Sequence, residues 1–117
     1  KVGAFAETKN SKIGKGSKVP HLAYVGDAEL EEDVNFSAGA ITVNYDGKEK
    51  HKTEIKKNAF VGSDTMLVAP VTIGEGAMGG AGSVITKDVP AGALGIERND
   101  QKNIEGYMDR KNKKGKK

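Results

Sequence analysis

From residue 55 the chain divides into sixes: IKKNAF, VGSDTM, LVAPVT, IGEGAM, GGAGSV and ITKDVP. The first position holds Ile55, Val61, Leu67, Ile73, Gly79 and Ile85. The second is Gly62, Gly74 and Gly80 in half of the units. The fifth is small or β-branched throughout: Ala59, Thr65, Val71, Ala77, Ser83 and Val89. Earlier, IGKGSK (13–18), VPHLAY (19–24) and VGDAE (25–29) follow the same template. After that step of five, LEEDVN (30–35) and FSAGAI (36–41) continue it.

This period excludes a helical fold. It is not 3.6, and each recurring Gly costs a helix about 1 kcal/mol. Six residues hold a short strand and a turn, with one aliphatic side chain pointing inward and a small residue allowing a tight corner. Such a unit cannot bury its own apolar face, so units must stack. Three sixes make one triangular turn. Residues 2–90 are therefore expected to form about five turns of an all-β solenoid. The sixes stop after Pro90, and Gly79 is expected to leave a small void at an inward position.

Two segments break the pattern. Residues 44–54 (NYDGKEKHKTE) have no first-position aliphatic and read as a loop thrown out between coils, with Asn44, Asp46 and Gly47 as turn formers. Long loops in a regular scaffold tend to carry function. Residues 100–110 are expected to form a short helix, with Ile104, Tyr107 and Met108 on one face and Gly106 weakening it. That helix would cap the solenoid or pack on a neighbouring subunit. The chain thus divides into a solenoid at 1–99 and a C-terminal segment at 100–117.

Composition removes several functions. Cys is absent, so there is no disulfide framework, thiolate metal site or Cys nucleophile. No apolar run approaches the roughly 20 residues of a membrane helix. The net charge of +3 is concentrated in RKNKKGKK (110–117), which carries six of the 19 basic residues. The remainder has 13 basic against 16 acidic side chains, so no basic nucleic-acid face is expected on the folded part. The tail itself reads as a solvated, disordered end. The first residue is Lys, with no charged-then-apolar leader after it, and the chain reads as cut from something longer.

The sixes resemble those of the hexapeptide-repeat acyltransferases, and the resemblance implies a left-handed parallel β-helix. A more specific likeness lies in HLAYVGD (21–27), Asn35, NYDG (44–47), Lys50 and Lys52, with VAPV (68–71) and GSVITKDVP (82–90) adding to it. These segments and their spacing resemble the C-terminal domain of the bacterial bifunctional uridyltransferase/acetyltransferase of UDP-N-acetylglucosamine synthesis, from about Lys1 to Tyr107. That family acetylates the amine of glucosamine 1-phosphate with acetyl-CoA, upstream of peptidoglycan and cell-wall synthesis, as a homotrimer with sites between subunits.

The resemblance implies a role for each matching residue. His21 would be the general base, since an imidazole suits deprotonation of an amine near neutral pH. Asp27 is placed in sequence to orient that imidazole. Lys9 would bind the sugar phosphate, and Tyr24, Asn35 and Asn44 the amino sugar. Tyr45 and Lys50 would contribute from the loop. Ala38, Ser63, Ala81 and Arg98 would hold acetyl-CoA, with the Ala38 backbone amide facing a developing oxyanion and Arg98 a phosphate. The family has a phosphate-gripping arginine upstream of Lys9 that has no counterpart here.

Other readings are open to the same sequence. A zinc hydratase on this fold needs three His ligands, and the chain has only His21 and His51, so no metal site is expected. A trimeric scaffold with little activity is a second reading, and a sister acyltransferase with another acceptor is a third.

Overall fold

In the computed structural model, which describes residues 2–115, thirteen short strands form three parallel sheets. Sheet one stacks β1 (Glu7–Lys9), β3 (Tyr24–Gly26), β6 (Ile41–Val43), β9 (Met66–Val68) and β12 (Val84–Ile85). Sheet two stacks β2 (Lys12–Ile13), β4 (Ala28–Leu30), β7 (Thr53–Ile55) and β10 (Val71–Ile73), and a bridge from Ile73 to Val89 extends it. Sheet three stacks β5 (Asn35–Phe36), β8 (Phe60–Val61), β11 (Met78–Gly79) and β13 (Leu94–Gly95), extended by bridges from Val2 to Val19 and from Lys18 to Asn35. The chain visits the three sheets in turn, so five strands in sheet one mean about five coils, as the period predicts.

The first-position residues Val19, Val25, Leu30, Phe36, Ile55, Val61, Leu67, Ile73 and Ile85 are all buried. So is the fifth position, which the sequence reading treats only as a corner: Ala23, Ala28, Val34, Ala40, Ala59, Val71 and Ala77 line the same core. A strand covering positions five, six and one alternates in, out, in, so both flanking residues point inward. Some inward positions are polar. Thr42 Oγ1 accepts from Gly26 N at 2.7 Å and donates to Gly26 O at 3.1 Å. Thr65 Oγ1 donates to Gly80 O at 3.1 Å. Among the described residues Thr53 Oγ1 is buried with no hydrogen-bond partner.

The second-position glycines answer a close approach. A Cβ on Gly62 would stand 2.6 Å from Ala81 N, and one on Gly74 would stand 2.5 Å from Ala91 N. Gly79 differs: a Cβ there would lie 3.8 Å from Thr65 Cγ2, an ordinary contact, so one carbon's worth of room is left. The fourth position turns the corner with positive φ, at Gly16, Asp33, Gly39, Asn58, Asp64, Gly76 and Gly82. Asn and Asp tolerate that region better than other non-glycine residues. Leu22 does not, yet it sits there with φ 60, next to His21.

The three corners are not equivalent. Between sheets one and two the chain passes from Val25 to Leu30 in five residues, from Thr42 to Ile55 in thirteen and from Ile85 to Val89 in four. Val89 is therefore an inward first position that follows a shortened corner. For that reason the coils run on past Pro90, where the count of sixes stops, to Gly95, within the solenoid expected at 1–99. The loop is also shorter than the 44–54 expected, because Thr53 and Glu54 pair with Ala28 and Glu29 in β7. Their polar side chains hide a strand that burial of Thr53 requires.

The C-terminal helix α1 spans Tyr107–Gly115 rather than 100–110. Gly106 takes φ 74 just before it, which excludes Ile104 from the helix. Residues 110–115 are thus helical, not a disordered tail: Lys and Arg are good helix formers, and Asp109 lies in the first turn, where a negative charge meets the helix dipole well. Lys116 and Lys117 lie outside the described residues. Ile104, Tyr107 and Met108 are exposed, so among the described residues this face of the helix caps nothing. No helix among the described residues is long and apolar enough to cross a membrane.

Candidate functional site

At the variable corner between sheets one and two, successive coils place Asn10, Asp27 and Asn44 one above another, after the paired positions Lys9 and Gly26. Asp27 is the middle rung. Its Oδ1 accepts from Asn10 Nδ2 at 2.6 Å and its Oδ2 from Asn44 Nδ2 at 2.7 Å. Asn44 Nδ2 also reaches the Tyr24 hydroxyl at 3.4 Å. The Asp27 carboxyl is held below its ordinary value by the Asn10 and Asn44 hydrogen bonds; burial opposes them, and the charges of Lys50 and Lys9 add to the lowering. Gly26 makes the arrangement possible, since a Cβ there would collide with the Tyr24 hydroxyl and lie 2.7 Å from Asn44 Nδ2.

The loop that follows Asn44 is a closed hairpin. Tyr45 pairs antiparallel with Lys50, and His51 N donates to Asn44 O at 2.7 Å. Asp46 accepts from Lys48 N at 2.8 Å and Glu49 N at 2.7 Å, and its other oxygen meets His51 Nε2 at 2.8 Å. Those bonds, led by the Glu49 amide and His51, hold the Asp46 carboxyl well below the usual carboxylate range. Beside the hairpin lies an open groove of about 730 Å³, lined by Thr8, Asn10, Ser11, Lys12, Asp27, Glu29, Lys50, His51 and Lys52 among others. Lys52 bridges Glu29 at 2.9 Å, which lowers the Glu29 pKa and raises that of Lys52.

The other edge of sheet one carries a second column. Val19, Phe36, Val61 and Gly79 follow one another in register, so His21, Ala38, Ser63 and Ala81, each two residues on, stack along one corner. The backbone ladder continues there, with Asp64 N donating to Ala38 O at 3.1 Å and Gly82 N to Ser63 O at 2.9 Å. Arg98 folds toward the same edge: a Cβ on Gly80 would lie 3.2 Å from Arg98 Nη2. His21 stands exposed in this column, beside the strained Leu22.

Lys9, Tyr24, Asn44, Tyr45 and Lys50 therefore gather at one corner, and His21, Ala38, Ser63, Ala81 and Arg98 at another. Asn35 joins neither, because it points outward from β5 on sheet three. Among the described residues Asp27 bonds the two asparagine amides and not His21, contrary to the sequence expectation. The ladder role of Asp27, and the parts of Asn10, Gly26 and Thr42, escape the sequence reading. The 17-residue spacing of Asn10, Asp27 and Asn44 is the available signal.

Among solved structures, the fold is shared with AntD, an N-acyltransferase from Bacillus cereus, a mutant of which was solved in complex with dTDP and coenzyme A. The TM-score is 0.61 at 17% identity, over 98% of this chain and 90% of that one. WeeI from Acinetobacter baumannii AYE is similar at TM-score 0.57 and 22% identity, over 79% and 51% of the two chains. No family model matches the chain. By fold it is a left-handed parallel β-helix of the hexapeptide acyltransferase type. By sequence it is homologous to a segment of the bifunctional protein GlmU. It is 65% identical to that of Heliobacterium modesticaldum over 113 residues, 97% of this chain and 25% of the relative. For GlmU of Desulfitobacterium hafniense strain DCB-2 the identity is 59% over 113 residues, and for that of Streptomyces avermitilis it is 57% over 111. The chain spans about a quarter of the length of these relatives.

Proposed function

We propose that this chain is the acetyltransferase part of a GlmU-type enzyme, moving acetyl from acetyl-CoA to the amine of glucosamine 1-phosphate in the cytoplasm, toward UDP-N-acetylglucosamine and the cell wall. The observation that carries the reading is the column of His21, Ala38, Ser63 and Ala81 along one edge, with Arg98 folded against it. Small side chains leave that edge open to a narrow pantetheine arm, and Arg98 suits a phosphate of the donor. Acetyl-CoA supplies the activated thioester when bound. His21 takes the proton from the acceptor amine as its nitrogen bonds to the acetyl carbonyl carbon. The Ala38 backbone amide faces the oxyanion that forms, and the thiolate of coenzyme A leaves as the carbonyl returns. Lys9 and Lys50 hold the sugar phosphate, with Tyr45 beside them, and Tyr24 and Asn44 orient the amino sugar.

We further propose a homotrimer. Asn35 lies on sheet three, whereas Tyr24 lies on sheet one and Asn44 follows the sheet-one strand β6, so a site drawing on all three is expected to form between protomers. The outward columns of sheets one and three also leave Ile41, Phe60, Met66, Met78, Val84 and Leu94 wholly or partly exposed. The test is release of coenzyme A thiol with glucosamine 1-phosphate, with glucosamine as the control acceptor. Release that requires the phosphorylated sugar, and that falls by roughly 10²–10⁴ in His21→Ala, supports the reading. No release from a folded chain that binds acetyl-CoA sinks it in favour of a scaffold.

A further inference from the structure

The Asn10–Asp27–Asn44 ladder has a polarity that the proposed reaction does not by itself require. An ionised carboxylate can only accept hydrogen bonds, so each asparagine above and below Asp27 must turn its NH₂ toward it. For Asn44 both amide protons are then committed, one to Asp27 Oδ2 at 2.7 Å and one to the Tyr24 hydroxyl oxygen at 3.4 Å. Two groups are left over. Asn44 Oδ1 faces away from the ladder as an acceptor, and the Tyr24 hydroxyl keeps its proton as a donor. Among the described residues no hydrogen bond ends on Asn44 Oδ1 or leaves the Tyr24 hydroxyl.

We propose that Asp27 is a positioning residue: by accepting from Asn10 on one oxygen and Asn44 on the other, it fixes the Asn44 side chain so that Oδ1 and the Tyr24 hydroxyl form an adjacent acceptor–donor pair for the amino sugar. The inference rests on the acetyltransferase reading and adds to it the group that sets the orientation of the acceptor site. Its ligand chemistry follows from the pair. The acceptor oxygen takes an N–H or O–H of a sugar, and the phenol donates to a neighbouring hydroxyl or ring oxygen. The depressed pKa of Asp27 fits, because a carboxylate bonded on both oxygens stays ionised and hence acceptor-only across the neutral range. Backbone strain pins the rung as well: Asp27 has φ 48 and Asn10 φ 49, a region that Asp and Asn tolerate better than other side chains do.

Asp27→Asn is the informative variant, because it keeps the size and the left-handed conformation while removing the obligate acceptor. The measurements are the KM for glucosamine 1-phosphate, calorimetric affinity for acetyl-CoA, and thermal melting, on the full chain. Asp27→Asn is expected to raise the acceptor KM about tenfold, the scale of one lost charge-assisted hydrogen bond, and to leave acetyl-CoA affinity unchanged. In an Asn44→Ala background the same change should add little, since the residue it positions is gone. An unchanged acceptor KM in the single variant, or full additivity with Asn44→Ala, overturns the inference while wild-type turnover leaves the acetyltransferase reading standing. A wild-type chain that folds, releases no thiol and binds no glucosamine 1-phosphate removes both.

Discussion

Sheet two and sheet three share one inward code and carry opposite outward ones. On sheet two the outward sixth positions are Glu29, Glu54 and Thr72, with Lys12 in the coil before. Lys12 and Lys52 both approach Glu29, and Lys56 lies between Glu31 and Glu54 at 3.5 and 3.9 Å. On sheet three the same column reads Asn35, Phe60, Met78 and Leu94, and these apolar side chains are more than a third exposed. Both are parallel ladders of short strands, of two residues each on sheet three and mostly three on sheet two, so strand direction and pairing do not set the difference. What differs is a single position of the hexad. Inward positions one and five build the prism; outward position six decides whether a face stays in water or calls for a cover.

Breaking the inward code should have the largest effect. Ile73→Asp puts an unpaired charge at a fully buried position and is expected to abolish folding, read as loss of the β-sheet circular dichroism signal. A folded Ile73→Asp chain would show the hexad register to be wrong. Changing the outward code should leave the prism intact and alter its assembly. Met78→Glu is expected to convert the proposed trimer to monomers in sedimentation velocity, whereas Glu54→Gln on the charged face leaves the oligomeric state alone. Equal behaviour of the two would erase the distinction between the faces.

A smaller effect separates shape from polarity within the core. Thr53→Val keeps the volume and removes the unpartnered Oγ1, and is expected to stabilise the chain by about 1 kcal/mol in denaturant unfolding. The smallest effect belongs to the exposed charges of sheet two. Glu29 is lowered by Lys52, so its contribution is complete above its ordinary 4.5 and is lost as the pH falls through the lower folded value. Lys52 is raised, so its share persists to 10.5 and disappears as the pH rises beyond it. Thermal melting of Glu29→Gln should therefore match wild type at acid pH and fall slightly short of it near neutrality.

The prism is legible because its signal repeats. Ten apolar residues at one position of a hexad cannot all be incidental; nine of them are buried, and Ile13 is partly buried against the same core. What escapes the sequence is anything that depends on corners. The period is carried by strands: it exposes the long corner at 44–54 as a break, but the four-residue corner from Ile85 to Val89 passes inside an apparent unit of six, so a strict count of sixes puts Val89 at the wrong position and stops at Pro90. Site chemistry is legible residue by residue through the resemblance, but not in its connections. Asp27 lies close in sequence to His21, yet it is turned over the opposite edge of the sheet, where its neighbours come from the coils on either side. Asn35 reads as a companion of Asn44 and stands on another face, because the intervening coil turns between them.

Among the described residues only the corner between sheets one and two varies widely in length, and that corner holds the Asn10–Asp27–Asn44 ladder and the hairpin. Tyr24, Ile41, Met66 and Val84 nevertheless remain in one column across it. Length added there is invisible to the rest of the prism. For a lineage under selection, this makes that corner a place where residues can be inserted, deleted or exchanged without renegotiating the fold. The scaffold and the chemistry can thus change at different rates, and relatives with very different acceptors can share the same coils.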